Sequence, residues 1–152
     1  MTYSKEDCIR ETKEHIAQVR EFMTIFALEL FRRAVLHDSS KLESPELEIF
    51  TEYTPKLRHS TYMSEEYKTY LKEMQVALKH HYENNSHHPE HYENGIRGMD
   101  LADIVEMFCD WKAATLRHED GDLNKSIEIN KKRFNYSDDL EQIFKNSVKM
   151  FE

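Results

Sequence analysis

The chain has 152 residues, the length of one domain with a single hydrophobic core. Its composition, with 39% hydrophobic and 33% charged residues, excludes an intrinsically disordered protein. Three glycines and three prolines are too few for a sheet protein rich in turns, which favours an all-α fold. The net charge of −8 argues against binding of a nucleic-acid duplex, because a phosphate backbone requires a basic surface.

The sequence contains no stretch of the roughly 18 apolar residues that span a membrane, so no membrane partner is expected. The first residues lack a signal-peptide pattern. Cys8 and Cys109 lie far apart in apolar helical contexts, as expected for unpaired thiols in a reducing compartment. A cytoplasmic protein is therefore predicted, and its acidic surface is compatible with a homo-oligomer.

Apolar residues with helical spacing predict the first two helices, at about residues 5–22 and 25–36. His15 lies on the first helix, and His37 follows the second. One continuous helix would hold these two histidines about 33 Å apart. If both bind the same ion, the chain must bend near residues 23–27, where Thr24 is the expected cap.

Ser44-Pro45-Glu46 predicts the start of a short third helix that ends near Pro55, because serine caps helices and proline suits their first turn. A fourth helix begins at Ser64, and its apolar face extends to His81. A long loop follows, and then three further helices at about residues 100–117, 122–134 and 137–151. The prediction is a single all-α domain of about seven helices over residues 1–152.

The adjacent pair His37-Asp38, which closes an apolar run, is the most informative motif. An imidazole and a carboxylate on adjacent residues at a helix end can bind the same divalent ion. His15 lies upstream, a histidine-rich segment lies downstream, and Asp110 lies in a later apolar stretch. Such ligands on separate helices suit a phosphohydrolase centre that holds Mn²⁺, Fe²⁺, Co²⁺, Ni²⁺ or Zn²⁺. The alternative is that the pair only caps a helix.

The segment Leu36-His37-Asp38-Ser39-Ser40-Lys41 resembles the signature of the HD-domain metal-dependent phosphohydrolase superfamily, in which a lysine follows the His-Asp pair. His15 is similar to the upstream histidine of that superfamily, and Asp110 resembles its downstream aspartate. The likeness covers about residues 11–117. With its histidine-rich loop, the chain also resembles a small uncharacterised family of HD-like proteins from bacteria and phages. The resemblance implies an HD-like helical bundle, in the host cytoplasm if a phage encodes it.

The resemblance also implies roles for individual residues. Lys41 would support the neighbouring aspartate or contact the substrate phosphate. His80 or His81, with His59 as a further candidate, would bind a second ion. The implied reaction is attack of metal-bound water on the phosphorus of a nucleotide or a related small phosphorylated molecule. The first ion would have four protein ligands, namely His15, His37, Asp38 and Asp110.

Residues 80–91 contain five histidines. This density predicts an active-site loop that supplies metal ligands and a general acid for the leaving group, and the alternative is a solvated loop. His81 and His88 are the first choices, because His81 extends an apolar helix face and His88 precedes a proline. Arg97, in the same loop, is the preferred cation for the substrate phosphate. His118 is expected at the surface.

The sequence therefore favours a phosphohydrolase that uses one or two divalent ions. Two alternatives stay open: a non-catalytic HD-like module that binds a nucleotide or effector, and a helical interaction protein stabilised by Zn²⁺. The candidate catalytic residues are Asp38, Lys41, His81 and His88.

Overall fold

The computed structural model describes residues 3–60, 64–117 and 121–151, which form seven α-helices and no strand. The all-α fold of about seven helices is therefore confirmed. The chain divides into two compact units, Met1–Leu36 and His37–Glu152. The HD-like character of the fold stays a prediction.

The first unit is formed by one long helix, α1 (Lys5–Leu36), none of whose residues is buried. The predicted bend near residues 23–27 is absent. Thr24 lies inside α1, where its hydroxyl donates a hydrogen bond to the Arg20 carbonyl one turn earlier. A threonine bonded in this way is accommodated within a helix and does not require a break. None of the described helices combines the length and the apolar character needed to cross a membrane.

The second unit contains the other six α-helices. Four short 3-10 helices, at Ser39–Leu42, Pro89–His91, Gly95–Gly98 and Val148–Phe151, lie between or after them. The α-helices are α2 (Glu46–His59), α3 (Glu65–Glu73), α4 (Gln75–Asn84), α5 (Leu101–Thr115), α6 (Leu123–Phe134) and α7 (Asp138–Ser147).

The bounds of α2 differ from the prediction. Pro45 rather than Ser44 occupies the N-cap position, and no side chain caps this end. Pro55 lies inside α2, which continues to His59. The turn after Pro55 keeps its hydrogen bonds, so the missing amide donor of the proline does not end the helix.

The single helix predicted from Ser64 to His81 is in fact two helices, because the helical conformation is interrupted at Met74. Ser64 caps α3 as expected, and its hydroxyl accepts a hydrogen bond from the Tyr67 amide. The side chain of Met74 is 1% exposed, so tertiary packing accompanies the interruption. One absent bend and one unpredicted break together leave the number of helices at seven.

The hydrophobic core of the second unit lies among α5, α6 and α7. Phe108 and Phe144 stack with ring centroids 5.1 Å apart, and Trp111 meets Phe144 at 5.3 Å in an edge-to-face arrangement. Ile127 is fully buried, and its carbonyl accepts a hydrogen bond of 2.6 Å from the Tyr136 hydroxyl. This packing fixes the position of α5, which carries several acidic residues of the candidate site.

We expect Ile127→Ala to lower the free energy of unfolding by about 2–5 kcal/mol, because it removes a fully buried side chain and leaves a cavity. Ile129→Ala on the same helix is the matched control. Its side chain is 49% exposed, so the expected loss is about 1 kcal/mol or less. Urea denaturation followed by circular dichroism measures both values, and equal losses would contradict the position of the core.

Candidate metal centre

The pair His37-Asp38 follows α1 and begins the second unit. Asp38 has a left-handed backbone conformation (φ 56°, ψ 16°), which aspartate tolerates better than most residues. The chain then enters the 3-10 helix Ser39–Leu42, where the Lys41 ammonium donates a hydrogen bond to Asp38 Oδ2. Burial opposes ionisation of Asp38, yet the ammonium holds the pKa of the carboxyl below its ordinary value. One carboxylate oxygen is thus paired, and the other is left for a different partner.

His81 on α4 is oriented by a buried carboxylate. Its side chain is 3% exposed, and its Nδ1–H donates a hydrogen bond of 2.8 Å to Oε2 of Glu46, which is 0% exposed. This bond fixes the ring and leaves Nε2 unprotonated, as in the carboxylate–histidine pairs that orient metal ligands. Nε2 of His81 lies 3.4 Å from Asp38 Oδ1 and 2.9 Å from Nε2 of His88.

The loop between α4 and α5 is anchored by Asp103, whose side chain is 1% exposed. Its Oδ1 accepts a hydrogen bond of 2.6 Å from the Ser86 hydroxyl, and its Oδ2 accepts one of 2.6 Å from the Tyr92 hydroxyl. The same carboxylate completes the capping box at the start of α5. Because Ser86 directly precedes His87 and His88, these bonds hold both histidines close to α5.

Glu106 on α5 meets two histidine rings that lie far apart in the sequence. Its Oε1 accepts a hydrogen bond of 2.9 Å from Nδ1–H of His37, and it lies 3.1 Å from Nδ1 of His87. The Nε2 atoms on the other side of these rings face further carboxylates. Nε2 of His37 lies 3.5 Å from Asp38 Oδ2 and 3.8 Å from Asp110 Oδ1, and Nε2 of His87 lies 3.6 Å from Asp38 Oδ1.

These side chains form three groups in which the candidate ligand atoms lie within 4.8 Å of one another. Two atoms of the groups, Asp38 Oδ1 and His87 Nε2, are buried and have no hydrogen-bond partner in the described part of the chain. Burying an unsatisfied polar atom is costly, and one cation would satisfy both atoms. Because the groups share members, we treat them as one metal cluster, formed by His37, Asp38, His81, His87, His88, Glu106 and Asp110.

The distances within the metal cluster fit a divalent ion. Ligands held about 2.0–2.2 Å from a tetrahedral ion lie roughly 3.3–3.6 Å from each other. Nε2 of His81 and Nε2 of His87 lie 3.4 and 3.6 Å from Asp38 Oδ1. Imidazole and carboxylate donors suit Mn²⁺, Fe²⁺, Co²⁺, Ni²⁺ and Zn²⁺. The group of His37, Asp38 and Asp110 offers ligands to a second ion.

The histidines of the metal cluster differ in their affinity for protons. Asp110 and a second carboxylate of α5 raise the pKa of His37 to about 10. Burial, reinforced by the neighbouring histidines, lowers the pKa of His88 to about 3. Burial also lowers the pKa of His81, and the Lys41 ammonium adds to this effect. His81 and His88 are therefore neutral at pH 7, the form in which imidazole binds a metal.

The structure brings together many of the residues that the sequence suggests as ligands or catalytic groups. Lys41 contacts this set of residues, because its ammonium donates a hydrogen bond to Asp38. The residues that converge are His37, Asp38, His81, His88 and Asp110.

Three histidines suggested as ligands do not join these groups. His15 is exposed on α1, and the continuous helix places it about 32 Å from the end of α1. His80 donates a hydrogen bond of 2.8 Å from Nδ1–H to Glu46 Oε1 and is absent from the three ligand groups. His59 is exposed in the last turn of α2 and is likewise absent from them.

Two members of the metal cluster, His87 and Glu106, are not predicted by the sequence analysis. Glu106 lies one turn before Asp110 on the same face of α5, so helical spacing was a signal that identifies it as a candidate. His87 offers no comparable signal, because its position depends on the hydrogen bonds that Asp103 makes with the loop.

Two cavities border the metal cluster. One, of about 420 Å³, meets it at His88 and Asp110. The other, of about 680 Å³, meets it through Lys41. Arg97, the cation suggested for the substrate phosphate, is exposed and lines neither of these cavities. His118 lies outside the described residues.

We expect His87→Ala to lose bound metal, because it removes a buried imidazole whose Nε2 lies 3.6 Å from Asp38 Oδ1. His91→Ala is the matched control in the same loop, since His91 is exposed and its Nδ1–H donates to the Tyr82 carbonyl. Elemental analysis after incubation with Mn²⁺, Co²⁺ or Zn²⁺ and removal of free ions measures the difference. Equal metal content in the two variants would contradict the assignment of His87.

Comparison with protein families gives a match, whereas comparison with individual proteins does not. No curated protein matches the chain. No solved structure matches it either. The matching family model is described as "Family of unknown function (DUF5662)", and it covers residues 4–150. Because this match spans nearly the whole sequence, the chain belongs to the family of unknown function DUF5662.

Proposed function

We propose that this protein is a metal-dependent hydrolase that cleaves the phosphate ester of a small molecule, such as a nucleotide. The observation that supports the proposal most directly is the convergence of Asp38 Oδ1 with the Nε2 atoms of His81 and His87. Of these three atoms, Asp38 Oδ1 and His87 Nε2 are buried without a hydrogen-bond partner among the described residues. Such an arrangement is unfavourable without a cation and is typical of a metal site.

A divalent ion held by the metal cluster would polarise a phosphoryl oxygen and lower the pKa of water toward about 7. The residues of the chain then have two tasks. Glu46 and Glu106 orient the histidine rings through their Nδ1 atoms. Lys41 contacts Asp38 and also lines the larger cavity, so its ammonium can bind a phosphate oxygen next to the ion.

The general-acid role suggested for His81 and His88 is revised in this proposal. Both side chains have lowered pKa values and are neutral at pH 7, so neither is the imidazolium that a general acid needs to protonate a leaving oxygen. Both also belong to the same ligand group as Asp38. We therefore assign them to binding the ion.

The proposed reaction consumes one water molecule. The water oxygen forms a bond to phosphorus while the bond between phosphorus and the ester oxygen breaks. One proton of the water is transferred to the ester oxygen, which leaves as an alcohol, and the phosphate is the second product. No oxidant, reductant or additional group donor is needed.

A structural zinc site is the second candidate. The group of Asp38, His81, His87 and His88 offers four protein ligands, which is the number that closes a tetrahedral structural site. In that case chelation would lower the melting temperature, because a metal that binds only the folded state stabilises it, while no phosphate ester would be hydrolysed. An assay of the metal-loaded protein for hydrolysis of phosphate esters therefore distinguishes the two functions.

We expect Asp38→Ala to lose both bound metal and hydrolysis of phosphate esters, because Asp38 offers ligand atoms to two of the three groups. The assay uses p-nitrophenyl phosphate, bis(p-nitrophenyl) phosphate and nucleoside monophosphates with Mn²⁺, Co²⁺ or Zn²⁺. Asp139→Ala, which removes an exposed carboxylate in the first turn of α7, is the control and should behave as wild type.

Full hydrolytic activity in the Asp38→Ala protein would overturn the proposal. Wild-type protein that binds metal in stoichiometric amount, unfolds at lower temperature after chelation and hydrolyses none of these esters would establish the structural zinc site instead.

A further inference from the structure

The cavity that reaches the metal cluster through Lys41 is lined by three cationic residues. Lys41 comes from the 3-10 helix, Arg58 from the last turn of α2, and Arg117 from the residues after α5. Neither arginine forms an ion pair with an acidic side chain in the described part of the chain, and none of the described residues that line the cavity is acidic. In a chain of net charge −8, this is a local concentration of positive charge.

The two arginines also lie at the carboxyl ends of helices, where cations interact favourably with the helix dipole. That interaction accounts for each arginine separately. It does not account for their presence on one concave surface together with a third cation and with no acidic residue among the described lining side chains. Several cations that converge on one surface, with no carboxylate among its described lining residues, are the usual signature of an anion site.

The remaining lining is largely apolar. Phe50, Leu71, Met74 and Leu78 line the cavity beside the cations, and Tyr67 adds an aromatic ring with a hydroxyl. An anion without an organic group, such as inorganic phosphate, would leave the apolar lining in contact with water. A ring or a short hydrocarbon chain would bury it, with a gain of about 25 cal/mol for each Å² of apolar area removed from water.

Phe50 connects the cavity to the metal cluster. Its ring lies 5.8 Å from the Lys41 ammonium, and it meets the His81 ring edge-to-face with centroids 6.1 Å apart. Lys41 itself donates to Asp38. A phosphate bound to Lys41 would therefore lie beside the carboxylate of the metal cluster, while the organic part of the same molecule lies against the apolar wall.

We propose that the cavity formed by Lys41, Arg58, Arg117 and the apolar wall around Phe50 binds an organic phosphate that carries a ring or hydrocarbon group. The phosphate binds the cations, and the organic group packs against the apolar wall. The role of this ligand as a substrate rests on the proposed hydrolase function. The binding itself does not, because the cavity is formed by side chains outside the metal cluster.

The test is isothermal titration calorimetry with phenyl phosphate in the presence of EDTA, so that no metal ion takes part in binding. Inorganic phosphate is the probe that lacks the ring, and benzyl alcohol is the probe that lacks the charge. We expect phenyl phosphate to bind wild-type protein more tightly than either probe by about tenfold or more. The double variant R58Q/R117Q should lose about tenfold or more in affinity for phenyl phosphate.

Arg10→Gln is the control variant, because it removes the same charge from an exposed position on α1 outside the cavity and should bind phenyl phosphate as wild type does. Unchanged affinity in R58Q/R117Q would overturn the inference. Equal affinity of the wild-type protein for phenyl phosphate and inorganic phosphate would also overturn it.

The two proposals fail in different ways. Protein that binds phenyl phosphate in EDTA through both arginines, yet hydrolyses no ester with any metal, retains the binding site and loses the hydrolase function. Protein that hydrolyses phosphate esters with the same KM and phenyl phosphate affinity in wild type and R58Q/R117Q retains the hydrolase function and loses the binding site.

Discussion

The contacts between histidine Nδ1 atoms and two carboxylates determine the geometry of the whole centre. Glu46 is fully buried and accepts from His81, while Glu106 accepts from His37 and lies 3.1 Å from Nδ1 of His87. Each carboxylate lies on the Nδ1 side of a ring, so that Nε2 faces the interior of the metal cluster. Without them, imidazole rings with centroids as close as 4.2 Å would have no fixed tautomer or direction.

The architecture was accessible from the sequence because it depends on helical periodicity and on caps. Ser64 caps α3, and Asp122 caps α6 by accepting from the Asn124 amide. Two features of the helices could not be predicted from the sequence. The helix runs unbroken through Thr24, whose hydroxyl is satisfied within α1, and the break at Met74 accompanies tertiary burial that no local pattern contains.

The candidate site was partly accessible for similar reasons. His37, Asp38 and Asp110 belong to motifs at fixed spacing, and His81 continues an apolar helix face, so these residues could be named in advance. His87 could not, because its place results from a loop that Asp103 folds back toward α5 through hydrogen bonds over 11 and 17 residues of sequence. Which of the five histidines in residues 80–91 belong to the metal cluster depends on such long-range contacts.

The overall charge of the chain and the charge of its interior are separate properties. The net charge of −8 argues against a duplex-binding surface but carries no information about individual cavities. At the metal cluster, Asp38, Glu106 and Asp110 lie among imidazoles, two of which have lowered pKa values. The larger cavity nearby has three cations in its lining. Lys41 thus contacts an acidic residue of the metal cluster and also lines a cavity that holds two further cations.

The order of the ligands along the sequence has a consequence for the unfolded chain. His81, His87 and His88 lie within eight residues of one another, and His80 and His91 flank them. Such a segment retains imidazoles in close proximity even when no helix is formed. A divalent ion therefore also has ligands in the denatured ensemble, which reduces the stabilisation that a given affinity of the folded site provides. If the metal cluster binds an ion, removing the ion would destabilise this protein less than it would a site whose ligands come together only through long-range folding.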